Sequence, residues 1–220
     1  EIGSGLVGSE MCIRDRYVVD SEPGSYLYCG LSRDASKEEI LERINNNTIT
    51  DILNKIEVKA GDVVMVKAGT IHAIGAGVFI CEIQQNSNCT YRMYDYDRRD
   101  KFGNPRELHV KKALDVVDNH KYIKDNKTEV VIARNEHFTE ERLVQCKYFE
   151  VYKYDVNDEA KITVDEASFV SVLFINGSGT IETDDYEKTM EFKAGDSFFV
   201  SAGLRSIIIK GQATMVVTRV

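Results

Sequence analysis

Of the four histidines in this 220-residue sequence, His72 stands in the setting best built to present a ligand. The run Gly61-x5-Lys67-x-Gly69-x2-His72 reads as a tight turn, a short apolar strand, a second glycine turn and then the imidazole. A histidine aimed inward from a β-sheet in this way suits zinc, iron or manganese. The same spacing also suits a histidine that is merely satisfied within a core, and both readings stand at this point. Tight metal sites take three or four protein ligands, yet no His-x-His or Gln-x-His pair occurs anywhere in the chain. His109, His120 and His137 lie in polar surroundings and read as surface residues. Glu82 sits in the otherwise apolar run 78–83, either as an acid/base or supporting group or as an exposed-face carboxylate. Arg92 lies in Thr90-Tyr-Arg-Met-Tyr94, where strand alternation sends Tyr91 and Met93 to the opposite face. A guanidinium there stays charged at any working pH. It either holds oxyanion or phosphate charge or pairs with Asp95 or Asp97. Residues 94–99 read as a hydrogen-bonded strand end and loop, and Lys67 as a solvated loop lysine.

The elements that must position these side chains are mostly short strands. Tyr17-Val-Val-Asp20 and Ser25-Tyr-Leu-Tyr-Cys29 flank the turn signal Glu22-Pro-Gly-Ser25 and predict a hairpin. Ser36 with Glu39 three residues on predicts a capped helix through Ile40, Leu41 and Ile44 that ends in Asn45-Asn-Asn47. Thr50 is a candidate cap for a second short helix through Ile52 and Leu53. Strands are expected at 56–58, 63–66, 78–83 and 90–94, and a helix at 107–117 after Asn104-Pro105. Residues 121–127 are polar and read as a linker. Beyond them, runs at 149–154, 169–175, 197–200, 207–209 and 215–217 are β-prone to the end of the chain.

An internal repeat organises this pattern. Lys59-Ala-Gly-Asp-Val-Val-Met-Val-Lys-Ala-Gly69 matches Lys193-Ala-Gly-Asp-Ser-Phe-Phe-Val-Ser-Ala-Gly203 at seven of eleven positions. A repeat of this length in a β-rich chain implies two similar units. Extending both copies sets His72 against Ser206, so the first unit carries the candidate ligand and the second does not. The second then reads as a structural or oligomerisation partner.

Composition narrows the function classes. A formal net charge of −8 argues against a nucleic-acid partner, although a local basic groove could still hold one phosphate. No apolar run reaches the ~18 residues of a membrane-spanning helix. The five cysteines are scattered without C-x-x-C spacing, which reads as reduced thiols in a cytosolic protein. The run Gly3–Asp15 resembles a translated sequencing adapter, the alternative being a flexible native N-terminus; residues 1–16 are set aside as a non-native segment, which implies that native N-terminal sequence is missing.

Several stretches share order and spacing with a known family. They are Ala68-Gly-Thr-Ile-His-Ala-Ile-Gly-Ala-Gly77, Glu82-Ile-Gln-Gln-Asn-Ser87, Thr90-Tyr-Arg-Met-Tyr-Asp-Tyr-Asp-Arg98 and Pro105-Arg-Glu-Leu-His109 with Lys112-Ala-Leu-Asp115. Over about residues 17–220 the chain resembles the short bacterial form of type I mannose-6-phosphate isomerase, and the Gly61–His72 spacing resembles the second cupin motif with Lys67 in the usual proline place. The resemblance implies a mainly β fold of two cupin-like sandwich or barrel units (a bicupin) with a few short helices. It implies a catalytic unit at 17–120, the linker at 121–127 and a unit without a metal site at 128–220. It also implies zinc as cofactor, His72 as a zinc ligand and Arg92 as the active-site arginine. The remaining ligands of that family, a Gln-x-His pair and a Glu, find no match here, and Glu10 is not assigned to the role. The implied reaction interconverts mannose 6-phosphate and fructose 6-phosphate by moving a proton between C1 and C2. The expected partner is a small sugar phosphate, with no nucleic acid or membrane, in a cytoplasmic monomer or homodimer. With one ligand of the set present, the 220-residue chain itself is expected to be inactive. A different metal cupin and a non-catalytic sugar-binding cupin are the alternatives.

Overall fold

The computed structural model describes residues 5–8, 13–86, 90–96, 98–124, 130–183 and 189–220. The chain divides into two units, residues 1–124 and 125–220. Both are built mainly from antiparallel strands.

In the first unit the strands are β1 (Gly5–Gly8), β2 (Arg14–Ser21), β3 (Tyr26–Leu31), β4 (Leu53–Glu57), β5 (Val63–Val66), β6 (Ile71–Ile74), β7 (Val78–Gln84) and β8 (Thr90–Tyr94). They form a five-stranded sheet in the order β4-β3-β6-β1-β8 and a three-stranded sheet in the order β5-β2-β7. Helix α1 (Lys37–Asn45) starts as its sequence predicts, with the Ser36 hydroxyl accepting from the Glu39 N–H at 3.1 Å. The Glu39 carboxylate does not complete the capping box. It is taken instead by Arg33 and by Arg43 one turn on, at 2.9 Å from the Arg43 Nε. The second helical piece is a single 3-10 turn, Ile49–Ile52, whose cap position is Thr48, not Thr50. Helix α2 (Val110–Val116) begins three residues later than expected. The preceding backbone is committed elsewhere, since the His109 N–H donates to the Arg92 carbonyl at 2.6 Å.

The expected hairpin across Glu22-Pro-Gly24 does not form. The turn is present, with the Ser25 N–H donating to the Glu22 carbonyl at 3.0 Å, but β2 and β3 enter different sheets. Both edges of β2 are taken by β5 and β7, and both edges of β3 by β4 and β6. The turn is therefore a corner between two layers. Val18, Val64 and Val66 from one layer pack against Leu27 and Cys29 from the other. On the far face of the larger sheet, Ile71 and Met93 are covered by Ile40 and Ile44 of α1 and Ala113 of α2.

The second unit contains β9 (Val130–Arg134), β10 (Phe138–Gln145), β11 (Glu150–Val156), β12 (Glu159–Val164), β13 (Val170–Thr183), β14 (Met190–Lys193), β15 (Ser197–Val200) and β16 (Arg205–Arg219). The sheet order is β14-β13-β16-β11-β10-β9, with β12 also on β16 and β15 also on β13. The two apolar runs at 207–209 and 215–217 are parts of one strand, β16, which follows β13 along nearly its whole length. Phe174 anchors the core, stacked 3.7 Å from the Phe192 ring and edge-on to Phe198.

The repeated eleven-residue runs fold alike. Asp62 Oδ2 accepts from the Lys59 N–H and Asp196 Oδ2 from the Lys193 N–H, both at 2.9 Å. Gly61 and Gly195 have φ of 93° and 89°, and Gly69 and Gly203 have φ of 76° and 80°, values that glycine adopts without the Cβ penalty. Each turn also grips a neighbouring strand. Val18 exchanges backbone hydrogen bonds with Gly61 and Asp62, as Phe174 does with Gly195 and Asp196.

Candidate functional site

His72 lies in the middle of the five-stranded sheet, 1% exposed, with Cys29 beside it on β3 and Leu6 beside it on β1. Cross-strand partners share a face, so the imidazole joins Leu27 and Cys29 on the side that meets the smaller sheet. Its Nδ1 is 2.8 Å from the Thr70 carbonyl. A carbonyl only accepts, so Nδ1 carries the hydrogen and Nε2 presents its lone pair to the interior. That Nε2 is buried with no hydrogen-bond partner among the described residues. Burial first, then the positive charge of Arg16 and Arg14, lowers the His72 pKa to about 3. The ring is neutral throughout the physiological range.

Arg92 on β8 reaches the same face. Leu6 pairs with His72 on one side and Arg92 on the other, which separates the two by two strand spacings, about 10 Å. Met93 points to the opposite, helix-covered face, as the alternation predicts. The Arg92 backbone is clamped by His109, whose Nδ1 accepts from the Arg92 N–H at 3.3 Å. The Arg92 side chain donates to the Glu107 carbonyl at 3.5 Å, while its Nε is buried without a hydrogen-bond partner among the described residues. His109 is thus partly buried and holds the strand carrying Arg92, where a surface residue was expected. His120 and His137 are exposed and paired with Asp118 and Asp158. Asp95 is buried, but its partners are Arg98 and Arg106, not Arg92. Asp97 lies outside the described residues.

The smaller sheet supplies groups that the sequence reading left aside. β2 begins at Arg14, so residues 14–16 belong to the fold although they fall in the excluded segment. Arg14 and Arg16 share one face of β2 and meet Glu82 of β7, with Arg16 Nε 2.7 Å from Glu82 Oε2 and Arg14 Nη1 3.4 Å from Oε1. Glu82 is therefore a partly buried carboxylate paired with two arginines and not an exposed-face one. The Arg-x-Arg-x-Val alternation ahead of Val18 was the available signal for an inward-facing pair. Cys29 shares this interior, and burial pushes its thiol up to about 11 against opposing pulls from Tyr122 and Arg16. In the second unit, an apolar cavity of about 230 Å³ lined by Met190, Phe198, Leu204 and Ile207 presents no acid or base.

A model of the mannose-6-phosphate isomerase cupin domain matches residues 139–220. The crystal structure of the mannose 6-phosphate isomerase from Bacillus subtilis superposes with a TM-score of 0.90 at 32% identity, covering 100% of this chain and 72% of that one. The chain belongs to the mannose-6-phosphate isomerase family. Among curated relatives, YvyI of Bacillus subtilis is 39% identical across 93% of this chain and 63% of its own length. Mannose-6-phosphate isomerase ManA of the same organism is 31% identical across 98% of this chain and 65% of its own length. The chain thus spans just under two thirds of the length of these two curated relatives. Family membership suggests a metal, which the donor set tests directly. No group of three or more His, Cys, Asp or Glu side chains that could hold a metal occurs among the described residues. His72 is a donor in the right tautomer, but the charges set against it are the Arg14 and Arg16 guanidinia, and the carboxylate beside them, Glu82, is already paired with both. The described residues do not fit a divalent metal.

Proposed function

We propose that this chain is the cupin portion of an aldose–ketose isomerase acting on mannose 6-phosphate and fructose 6-phosphate. The observation that carries the reading is the superposition of the entire chain on an enzyme of that name. In this reading Arg92 holds the negative charge of the sugar phosphate or of the oxygen developing charge at C1–C2. A half-exposed guanidinium whose Nε is buried and has no hydrogen-bond partner among the described residues suits that task. In this reading His72 is the residue of this chain assigned to zinc. Because the donor set is not met here, no chemical step is derived through it. The same reading takes the first unit as a second cupin-type β unit; of the linker expected at 121–127, residues 125–127 lie outside the described residues. It places the protein in the cytoplasm as a monomer or homodimer, with neither nucleic acid nor membrane as partner.

The Arg14–Glu82–Arg16 network favours a second reading for the 220-residue chain itself, in which it binds sugar phosphate without turning it over. Calorimetric titration with mannose 6-phosphate and with unphosphorylated mannose, beside a coupled isomerase assay, tests both. Binding should require the phosphate and weaken at least about tenfold in Arg92→Gln, the loss of one charge-assisted contact. No turnover should be seen. Equal binding by a folded Arg92→Gln variant would remove Arg92 from the site, and turnover by the unaltered chain would reject the non-catalytic reading.

A further inference from the structure

The repeat shows what the second unit places where the first has its arginines. Val18 and Phe174 make the same pair of backbone bonds to the two Gly-Asp turns. The flanking registers agree. Arg16 pairs with Val64 as Val172 pairs with Phe198, and Arg14 pairs with Val66 as Val170 pairs with Val200. Arg14 and Arg16 thus occupy the positions of Val170 and Val172, which are ordinary buried core. Two guanidinia stand in a place where the repeated frame takes valine. Their side chains are 8% and 3% exposed, and Glu82 joins both. Asp15, between them in sequence, pairs across to Met65 and Ile83 and so belongs to the opposite face of β2.

We infer that the interior facing His72 in this chain is closed to divalent cations, with the Arg14–Glu82–Arg16 network standing where a metal's carboxylate shell would have to be. The inference rests on the isomerase reading only for the expectation of a metal. A guanidinium is a delocalised positive charge, so a dication at His72 Nε2 would face two like charges. The carboxylate on that face, Glu82, is already shared between them. Reversing one charge and removing the other should release Glu82 and add a second carboxylate, giving His72 two oxygen-donor neighbours.

Zinc alone is the probe, measured by calorimetry and by metal content after gel filtration. The unaltered chain should retain far less than one zinc. The double variant Arg14→Glu/Arg16→Gln should take up about one per chain, at least about tenfold tighter, and lose the gain when His72→Ala is added. Stoichiometric zinc in the unaltered chain that disappears in His72→Ala would overturn the inference, and that measurement needs no folded double variant. A double variant with an intact circular dichroism spectrum and no gain in zinc would overturn it as well. Sugar-phosphate binding is read separately, so failure of the isomerase reading leaves the zinc result interpretable.

Discussion

Gly69→Ala and Gly203→Ala place the same methyl group at matching positions of the repeat, with φ of 76° and 80°. Both therefore carry the left-handed backbone cost of an L-residue, about 1–2 kcal/mol. Their surroundings differ. A Cβ at residue 69 would lie 2.7 Å from the Val116 carbonyl oxygen and 3.1 Å from the Asp118 nitrogen, both backbone atoms at the end of α2. A Cβ at residue 203 would meet only the Glu166 Cγ at 3.9 Å, an ordinary contact. Relief of the first clash must move the chain that carries the Asp118 N–H to Gly69 carbonyl bond, 2.9 Å long. Losing that bond adds about 1 kcal/mol, and displacing the end of α2 adds about as much again by disturbed packing. Gly69→Ala should thus cost about 3–4 kcal/mol and Gly203→Ala about 1–2 kcal/mol. Hydrogen exchange read peptide by peptide is the suitable assay, because the two units need not unfold together. Loss of protection in Gly69→Ala should include α2 and β6. Equal costs, or a larger cost at Gly203, would refute the reasoning that neighbouring backbone, and not φ alone, sets the penalty.

Glu82→Gln should destabilise the first unit by about 3 kcal/mol, since it leaves two buried guanidinia without their shared carboxylate; a urea midpoint unchanged from the parent would show that the pair contributes little. Phe174→Ala should cost the second unit about 3–5 kcal/mol by opening a cavity beside Phe192 and Phe198, measured as a lowered melting transition, and a melt within error of the parent would argue against a tightly packed stack. Burial raises the Cys29 and Cys81 thiols to about 11, so at pH 8 about one molecule in a thousand carries either thiolate. Mass-mapped alkylation should therefore modify Cys146, which is only partly buried, well before Cys29 or Cys81, and equal rates would contradict that ordering.

Local signals in this chain were read correctly where their physics is local. Ser36 starts α1 because a hydroxyl reaches an N–H three residues away. The Gly-Asp and Ala-Gly pairs mark turns because their backbone angles and short side-chain bonds are satisfied within a few residues. The runs at 63–66 and 90–94 became β5 and β8 with unchanged bounds. The hairpin at 17–29 failed for a non-local reason. A turn sequence specifies that the chain bends, not which strands fill the edges on either side of the bend, and here four other strands fill them. The late start of α2 has the same origin, a backbone bond from His109 back to Arg92.

The candidate site divides along the same line. From sequence alone came an inward-presented imidazole behind a glycine turn, an arginine on the same alternating pattern as Met93 but facing away from it, and the difference between the two repeated units at residues 72 and 206. Tertiary structure alone decided what faces that imidazole. The Arg14 and Arg16 contacts to Glu82 span 68 and 66 residues, and no local pattern encodes a pairing across that separation. Strand alternation assigns a side chain to one of two faces, whereas the partner across the interior depends on which sheets stack, and only the folded chain brings the two arginines and His72 into the same enclosed space.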